Sequence, residues 1–218
     1  MFHFFHRTPD INLDCFTASN ATYMTTPIVK ASKAFPDWWL KLKPYTPTFH
    51  HTPENPHHLS REKEMTARDC YSIRELYKKG IILENWCDLV FNVVDDKISF
   101  HHSNGEAPML HSNDQVFPGF TNHYIVKLKS PWIVQTKEDI PFMLVGAEWS
   151  HENYDFHILP GVVNFHHQTS SNVFLTIRKD VKQQFHIPMG MPLVHFIPLS
   201  DKKIKIHNHV VTDEELKT

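Results

Sequence analysis

The chain has 218 residues, 41% of them hydrophobic and 12% aromatic, with 15 Pro, 6 Gly and 18 His. That is enough apolar matter for one full core and too much for a disordered or low-complexity chain. Lys and Arg number 22 against 24 Asp and Glu, a formal net charge of −2, so composition offers no broad basic surface and no nucleic-acid partner is expected. Histidine is the outlier: adding 18 protons to a charge of −2 would give +16, so pH sets the charge.

In chain order, Met1 to Arg7 reads M-F-H-F-F-H-R, too short an apolar run for a signal-peptide core, and nowhere does the chain approach the ~20 apolar residues of a membrane span. The expectation is a soluble chain without a membrane partner. Cys15, Cys70 and Cys87 are widely spaced and lack C-x-x-C, which favours a reducing compartment over a disulfide framework or zinc ribbon.

Residues 1–65 read as a Pro-rich arm, with Pro9, Pro27, Pro36, Pro44, Pro47, Pro53 and Pro56 interrupting any long element. Within it, Phe35 to Leu42 forms a short amphipathic helix with Pro36 at N1, and Phe35, Trp38 and Trp39 pack the arm on the core. Tyr45 to Glu64 reads as an exposed loop or surface arm. Residues 66–218 form the core. Ser72-Ile73-Arg74-Glu75 is a capping box starting a two-turn helix that Gly80 ends.

From there the period changes to two. Asp88 to Val94, a turn at Asp95-Asp96, and Lys97 to His102 make a hairpin. Nine more strands are expected at His123–Lys129, Trp132–Thr136, Pro141–Val145, Phe156–Leu159, Val162–His167, Val173–Ile177, Gln184–Ile187, Leu193–Pro198 and Lys203–His207. Thr212 to Glu215 starts a last short helix or a frayed tail. Short strands at this spacing, with no room for crossover helices, predict a mainly antiparallel β-sandwich or distorted barrel with the Pro-rich arm and one or two short helices, as one compact domain.

Walker A, G-x-G-x-x-G, G-x-S-x-G, H-E-x-x-H and EF-hand patterns are absent. The strongest chemical candidate is the set of histidines on expected strands. A metal centre in a β fold needs two to four ligands from neighbouring strands on one face, and neutral imidazole is the commonest ligand. His102, His166, His167, His186 and His195 form that candidate set for Fe or Zn; one member of the adjacent His166-His167 pair faces inward in either register. Surface or hydrogen-bonded structural histidine is the commoner alternative. A ligand-binding rim is the second candidate, in the polar, aromatic stretch carrying Trp149, His151, Glu152, Asp155 and His157, against the plainer reading of a solvated connection. Cys87, beside Trp86 and Asp88, reads as a small buried hydrophobe rather than a nucleophile.

Three passages carry a family resemblance: Lys129-Ser130-Pro131-Trp132-Ile133-Val134-Gln135-Thr136, Leu159-Pro160-Gly161-Val162-Val163, and Phe185 to Pro198 with its Ile187-Pro188-Met189-Gly190-Met191-Pro192 run. With Phe35-Pro36-Asp37-Trp38-Trp39 and Gly80 to Leu89, they resemble an uncharacterised protein family of tailed phages, especially marine T4-like ones, related to a bacterial domain family of unknown function. The resemblance spans about Ile11 to Ile206 and implies a β-rich fold and a viral setting, in the cytoplasm of the infected host cell or associated with the virion. It implies no activity. The chain departs from the family pattern at Thr136-Lys137-Glu138-Asp139-Ile140, where a tight T-P-P-G-Y turn is usual, and at Asn164, where the family is acidic. The function expected is non-catalytic binding of a protein partner or small molecule, with homo-oligomerisation left open. The alternative is a metal-dependent enzyme or metal-binding module of cupin-like type.

Overall fold

The computed structural model describes residues 10–52, 55–112, 115, 121–147, 150 and 155–217. It begins with β1 (Ile11–Thr17), whose alternate residues Ile11, Leu13 and Cys15 are buried while Asn12 is exposed, the period-two pattern of a strand with one face on a core. Ser19 accepts a hydrogen bond from the Thr22 amide and caps α1 (Asn20–Thr25). Periodicity could not reveal this helix, because six residues make fewer than two turns. β2 (Val29–Lys30) and α2 (Asp37–Lys41) follow, with Pro36 as the N-cap of α2 rather than its first helical residue.

β3 (Tyr45–Thr52) and β4 (Asn55–Met65) pair as an antiparallel ribbon where a loop was expected. A two-stranded ribbon is all edge, and an edge accommodates a proline whose missing N–H would face outward. α3 (Tyr71–Lys78) has its N-cap at Cys70, two residues before the Ser72 cap that the capping box predicts; no side chain caps it, and Glu75 pairs with Lys78. The preceding 3-10 turn, Ala67–Asp69, explains the shift, since Thr66 caps that turn by accepting from the Arg68 amide and the chain enters α3 directly from it.

The remaining strands are β5 (Ile81–Glu84), β6 (Leu89–Val94), β7 (Lys97–His102), β8 (Met109–Leu110), β9 (His123–Leu128), β10 (Ile133–Gln135), β11 (Phe142–Gly146), β12 (Phe156–Ile158), β13 (Gly161–Val163), β14 (Val173–Arg178), β15 (Gln183–Ile187), β16 (Pro192–Pro198) and β17 (Ile204–Val210). The β6–β7 hairpin turns through Asp95 and Asp96 with φ of 50° and 55°, the two left-handed residues a tight hairpin needs. At the C-terminal end the Thr212 hydroxyl accepts from the Glu215 amide while the Glu215 carboxylate accepts from the Thr212 amide, a reciprocal cap on the turn Glu215–Lys217.

The strands form sheets ordered β10-β1-β17, β13-β11-β16-β5-β2, β12-β14-β9-β8 and β15-β6-β7, beside the β3-β4 ribbon. All pairings are antiparallel except β1 with β17, which run parallel from Ile11↔Ile204 to Thr17↔Val210. Each of these sheets keeps two edges, so the fold is sandwich-like and not a closed barrel. Ile11, Leu13, Cys15 and Ile28 belong to its main core.

One cluster dominates the interior, with Trp132, Phe91, Phe142, Phe165 and Phe196 fully buried. Side chains of this size each contribute roughly 1.5–3 kcal/mol by leaving water. Trp132 is also hydrogen-bonded at both ends: its indole Nε1 donates to the Thr26 carbonyl at 3.1 Å, and its own carbonyl accepts from Ser171 Oγ at 2.8 Å. A smaller cluster of Ala31, Tyr77, Ile82 and Ala147 is covered by Phe35 and Leu76. There Phe35 stacks between Trp39 and Tyr77, at centroid distances of 4.3 and 4.8 Å. The Trp39 indole donates to the Ala67 carbonyl at 3.2 Å, anchoring α2 beside α3.

Candidate functional site

The five histidines proposed as metal ligands lie on four separate stretches of the chain, with His166 and His167 neighbours in one turn. His102 is exposed at the end of β7, with Nδ1 3.3 Å from the Asn104 carbonyl. His166 and His167 are in the turn after β13, not on a strand, so the alternation that would turn one of them inward does not apply, and both are exposed. There His166 Nδ1 meets the Thr136 carbonyl at 3.2 Å and His167 Nε2 meets Asp139 at 3.3 Å. Asn164 donates to the same Asp139 carboxylate at 2.6 Å. That amide bond, with the two imidazoles, holds the Asp139 carboxyl below its ordinary range. His186 on β15 pairs with Asp88 at 3.0 Å, and the Asp88 carboxyl is lowered by the Met189 amide first and by His186 second.

His195, on β16, is buried; its Nε2 donates to the Lys79 carbonyl at 2.7 Å and its ring lies 5.9 Å from Tyr77. Burial lowers its pKa against the opposing pull of that bond, so it is a neutral structural imidazole at pH 7. Among the described residues no three His, Cys, Asp or Glu side chains gather where a metal ion could be held. The Fe or Zn expectation therefore finds no ligand set there. The histidines divide instead into one buried hydrogen-bonded residue and several exposed partners of carboxylates or carbonyls.

Of the expected ligand rim, Trp149, His151 and Glu152 lie outside the described residues. Asp155 is half-buried before β12 and His157 is exposed on it, its carbonyl accepting from Thr176 Oγ1 at 3.3 Å. Cys87 is buried, and burial pushes its thiol up to about 11, which suits a small core residue and not a nucleophile.

The site that the fold does build is elsewhere. In register across three strands, Gly161 of β13 faces Leu144 of β11, which faces Phe196 of β16. This row forms one wall of a cleft of about 520 Å³ whose opposite side is Ile125 of β9 and Phe174 of β14, with Leu159 and Pro160 closing the turn between β12 and β13. Gly161 matters through what it lacks: a Cβ there would have no neighbour within 4 Å, so the space beside Leu144 stays open. Polar groups converge on this apolar lining from His111, Gln115, Gln168, Ser170 and Asn172. The His111 ring meets Phe174 edge-on at 5.2 Å, and its backbone amide donates to the Ile125 carbonyl at 2.9 Å, so the imidazole is held at the cleft. A concave, mainly apolar space of this size with a few polar groups is the usual form of a small-molecule site.

No protein-family model, curated protein or solved structure matches the chain. Chemistry alone must then identify what the cleft holds. Among the described residues its lining holds no carboxylate and no thiol. It can bury an apolar body and hydrogen-bond a polar end. Sequence reasoning missed it because Leu144, Phe174 and Phe196 look like ordinary core residues until the register sets Leu144 between Gly161 and Phe196. The one local signal was Leu159-Pro160-Gly161, a Pro-Gly turn within a family-like block.

Proposed function

We propose that the protein is a non-catalytic binding protein that takes a small, mainly apolar ligand into the cleft between Leu144, Gly161 and Phe196 on one side and Ile125 and Phe174 on the other. The observation that carries this reading is the open apolar row Gly161–Leu144–Phe196 with amide and imidazole groups at its rim. Gln115, Gln168 and Asn172 supply amide donors and acceptors without formal charge, so the ligand's polar end is a neutral hydroxyl, amide or carbonyl. The resemblance to a tailed-phage family supports a setting in the infected cell or the particle.

The test is binding of a neutral apolar fluorophore, N-phenyl-1-naphthylamine, to wild type and to Gly161→Trp. The added indole enters open space and fills the cleft, so the variant keeps its unfolding transition while fluorophore affinity drops at least about tenfold, roughly 1.4 kcal/mol. Equal affinity in a folded Gly161→Trp variant would refute the assignment.

A further inference from the structure

Three turns of the chain meet at one end of the five-stranded sheet. β2 pairs with β5 through Lys30↔Ile81, and β5 pairs with β16 through Ile81↔Phe196. The 3-10 turn Ala31–Lys33 after β2, the Lys79–Gly80 turn before β5 and the connection after β16 therefore lie side by side. The first two are tied by the Ala31 amide, which donates to the Gly80 carbonyl at 3.1 Å. Between the three turns lies a pocket of about 370 Å³.

Its border carries five lysines, Lys30, Lys78, Lys79, Lys202 and Lys203, against two carboxylates, Glu75 and Asp201, on a chain whose net charge is −2. Glu75 pairs with Lys78, and Asp201 with Lys79. Lys202 lies in the field of Glu138. Asp10, next to the Ile11 amide that donates to the Lys203 carbonyl, is engaged by Lys205 at 3.1 Å. Lys30 and Lys203 are exposed and pair with no carboxylate among the described residues. We infer that this pocket is a second binding site, independent of the apolar cleft, and that it takes a small phosphate-bearing molecule with two or more negative charges.

Repulsion among the ammonium groups works against the fold, and a multivalent anion seated between them removes it. The negative end of α3 does not stand in the way: the Lys79 carbonyl accepts from buried His195 Nε2 at 2.7 Å, and the Leu76 carbonyl accepts from the Lys79 amide at 3.4 Å, so both are already engaged. The Ser32 hydroxyl adds an uncharged donor. Among the described residues the lining holds no arginine, whose planar fork would favour a carboxylate, and no aromatic ring on which a nucleic-acid base could stack. Ammonium groups are point donors suited to the tetrahedral oxygens of phosphate, and the pocket has the volume of a small-molecule site. Asp201 is the internal competitor. Its side chain is 97% exposed and bonded to Lys79, so a phosphate oxygen can take its place.

The experiment titrates inorganic pyrophosphate calorimetrically into the full chain at pH 7 and low ionic strength, with citrate as the carboxylate counterpart. Pyrophosphate binds saturably and at least about tenfold tighter than citrate, and raising salt to physiological strength weakens it several-fold. The double variant Lys30→Glu with Lys203→Glu, confirmed folded by its thermal transition, binds about tenfold or more weakly. Asp201→Asn, at an exposed position the fold does not depend on, frees Lys79 and binds about threefold or more tightly. Lys97→Glu on the β6–β7 hairpin leaves the affinity unchanged. Absence of saturable pyrophosphate binding, citrate binding as tightly, undiminished binding by the folded double variant, or Asp201→Asn binding no tighter than wild type would each overturn the assignment.

Discussion

Gly80 and Gly190 provide a matched pair for measuring how tightly the α3–β5 turn is packed. Their φ angles are +87° and +84°, so replacing either by alanine costs the same left-handed backbone penalty, roughly 1–2 kcal/mol, and gains the same small entropic benefit in the unfolded chain. Their surroundings differ. A Cβ on Gly190 meets nothing within 4 Å, whereas one on Gly80 would lie 2.1 Å from the Phe196 carbonyl oxygen and 2.9 Å from His195 Nε2. The first contact is with the backbone of β16, to which β5 is paired, so relief requires moving one strand against the other. Overpacking of this kind costs a further ~1–3 kcal/mol. Gly80→Ala is thus expected to lose about 2–4 kcal/mol and Gly190→Ala about 1 kcal/mol. Urea unfolding followed by tryptophan fluorescence, with equal m-values, measures both. Destabilisation of the two variants by the same amount would refute the argument that the turn closes against β16.

Asn85 is wholly buried, and its Nδ2 donates to the carbonyls of Cys87, Ile187 and Pro188, joining the β5–β6 connection to the β15–β16 turn. Asn85→Leu removes these three bonds, leaving the Pro188 carbonyl only the Met191 amide, and is expected to cost about 2–4 kcal/mol, a loss read as a lower urea midpoint; a shift worth under about 1 kcal/mol would count against it. Iodoacetamide at pH 8 should label Cys70 at least about tenfold faster than Cys15 and Cys87, because burial pushes the Cys15 thiol up to about 12 and the Cys87 thiol up to about 11; comparable rates by mass spectrometry would contradict this. The folded-state pKa of His195 lies below its ordinary value, so the unfolded chain takes up that proton more readily. Its contribution to stability is complete above about pH 6.5 and is lost as pH falls toward the lowered folded value. His195→Gln should therefore flatten the decline in urea midpoint from pH 7 to pH 5, and an unchanged slope would exclude His195 as its source.

Strand content was legible wherever one face of a strand is buried. β6, β9, β14 and β16 fall within a residue or two of the expected spans: in β6 burial alternates along the strand, while the other three carry short apolar runs that are buried on consecutive residues. It failed at His166-His167, where the chain leaves β13 after Val163 and turns; histidine is neither a strong strand former nor a breaker, so composition could not mark that end. β1 was hidden behind a reading of the first residues as an arm, although Ile11, Leu13 and Cys15 alternate cleanly. The cleft was less legible still. Its walls come from strands separated by tens of residues, and only their pairing shows that Gly161 leaves room beside Leu144.

The parallel pairing of β1 with β17 joins residues 193 positions apart, from Ile11↔Ile204 onward. β1 is the middle strand of its sheet, and its other neighbour, β10, is also distant in the chain. No local hairpin can nucleate such a sheet, and closing so long a loop must precede any gain from the contact. During synthesis the apolar face of β1 is made before both of its partners and must wait for β10 and β17 to emerge. Ile11, Leu13 and Cys15 stay uncovered until then, which makes β1 a natural binding site for a chaperone and keeps it open to proteolysis until β17 is in place.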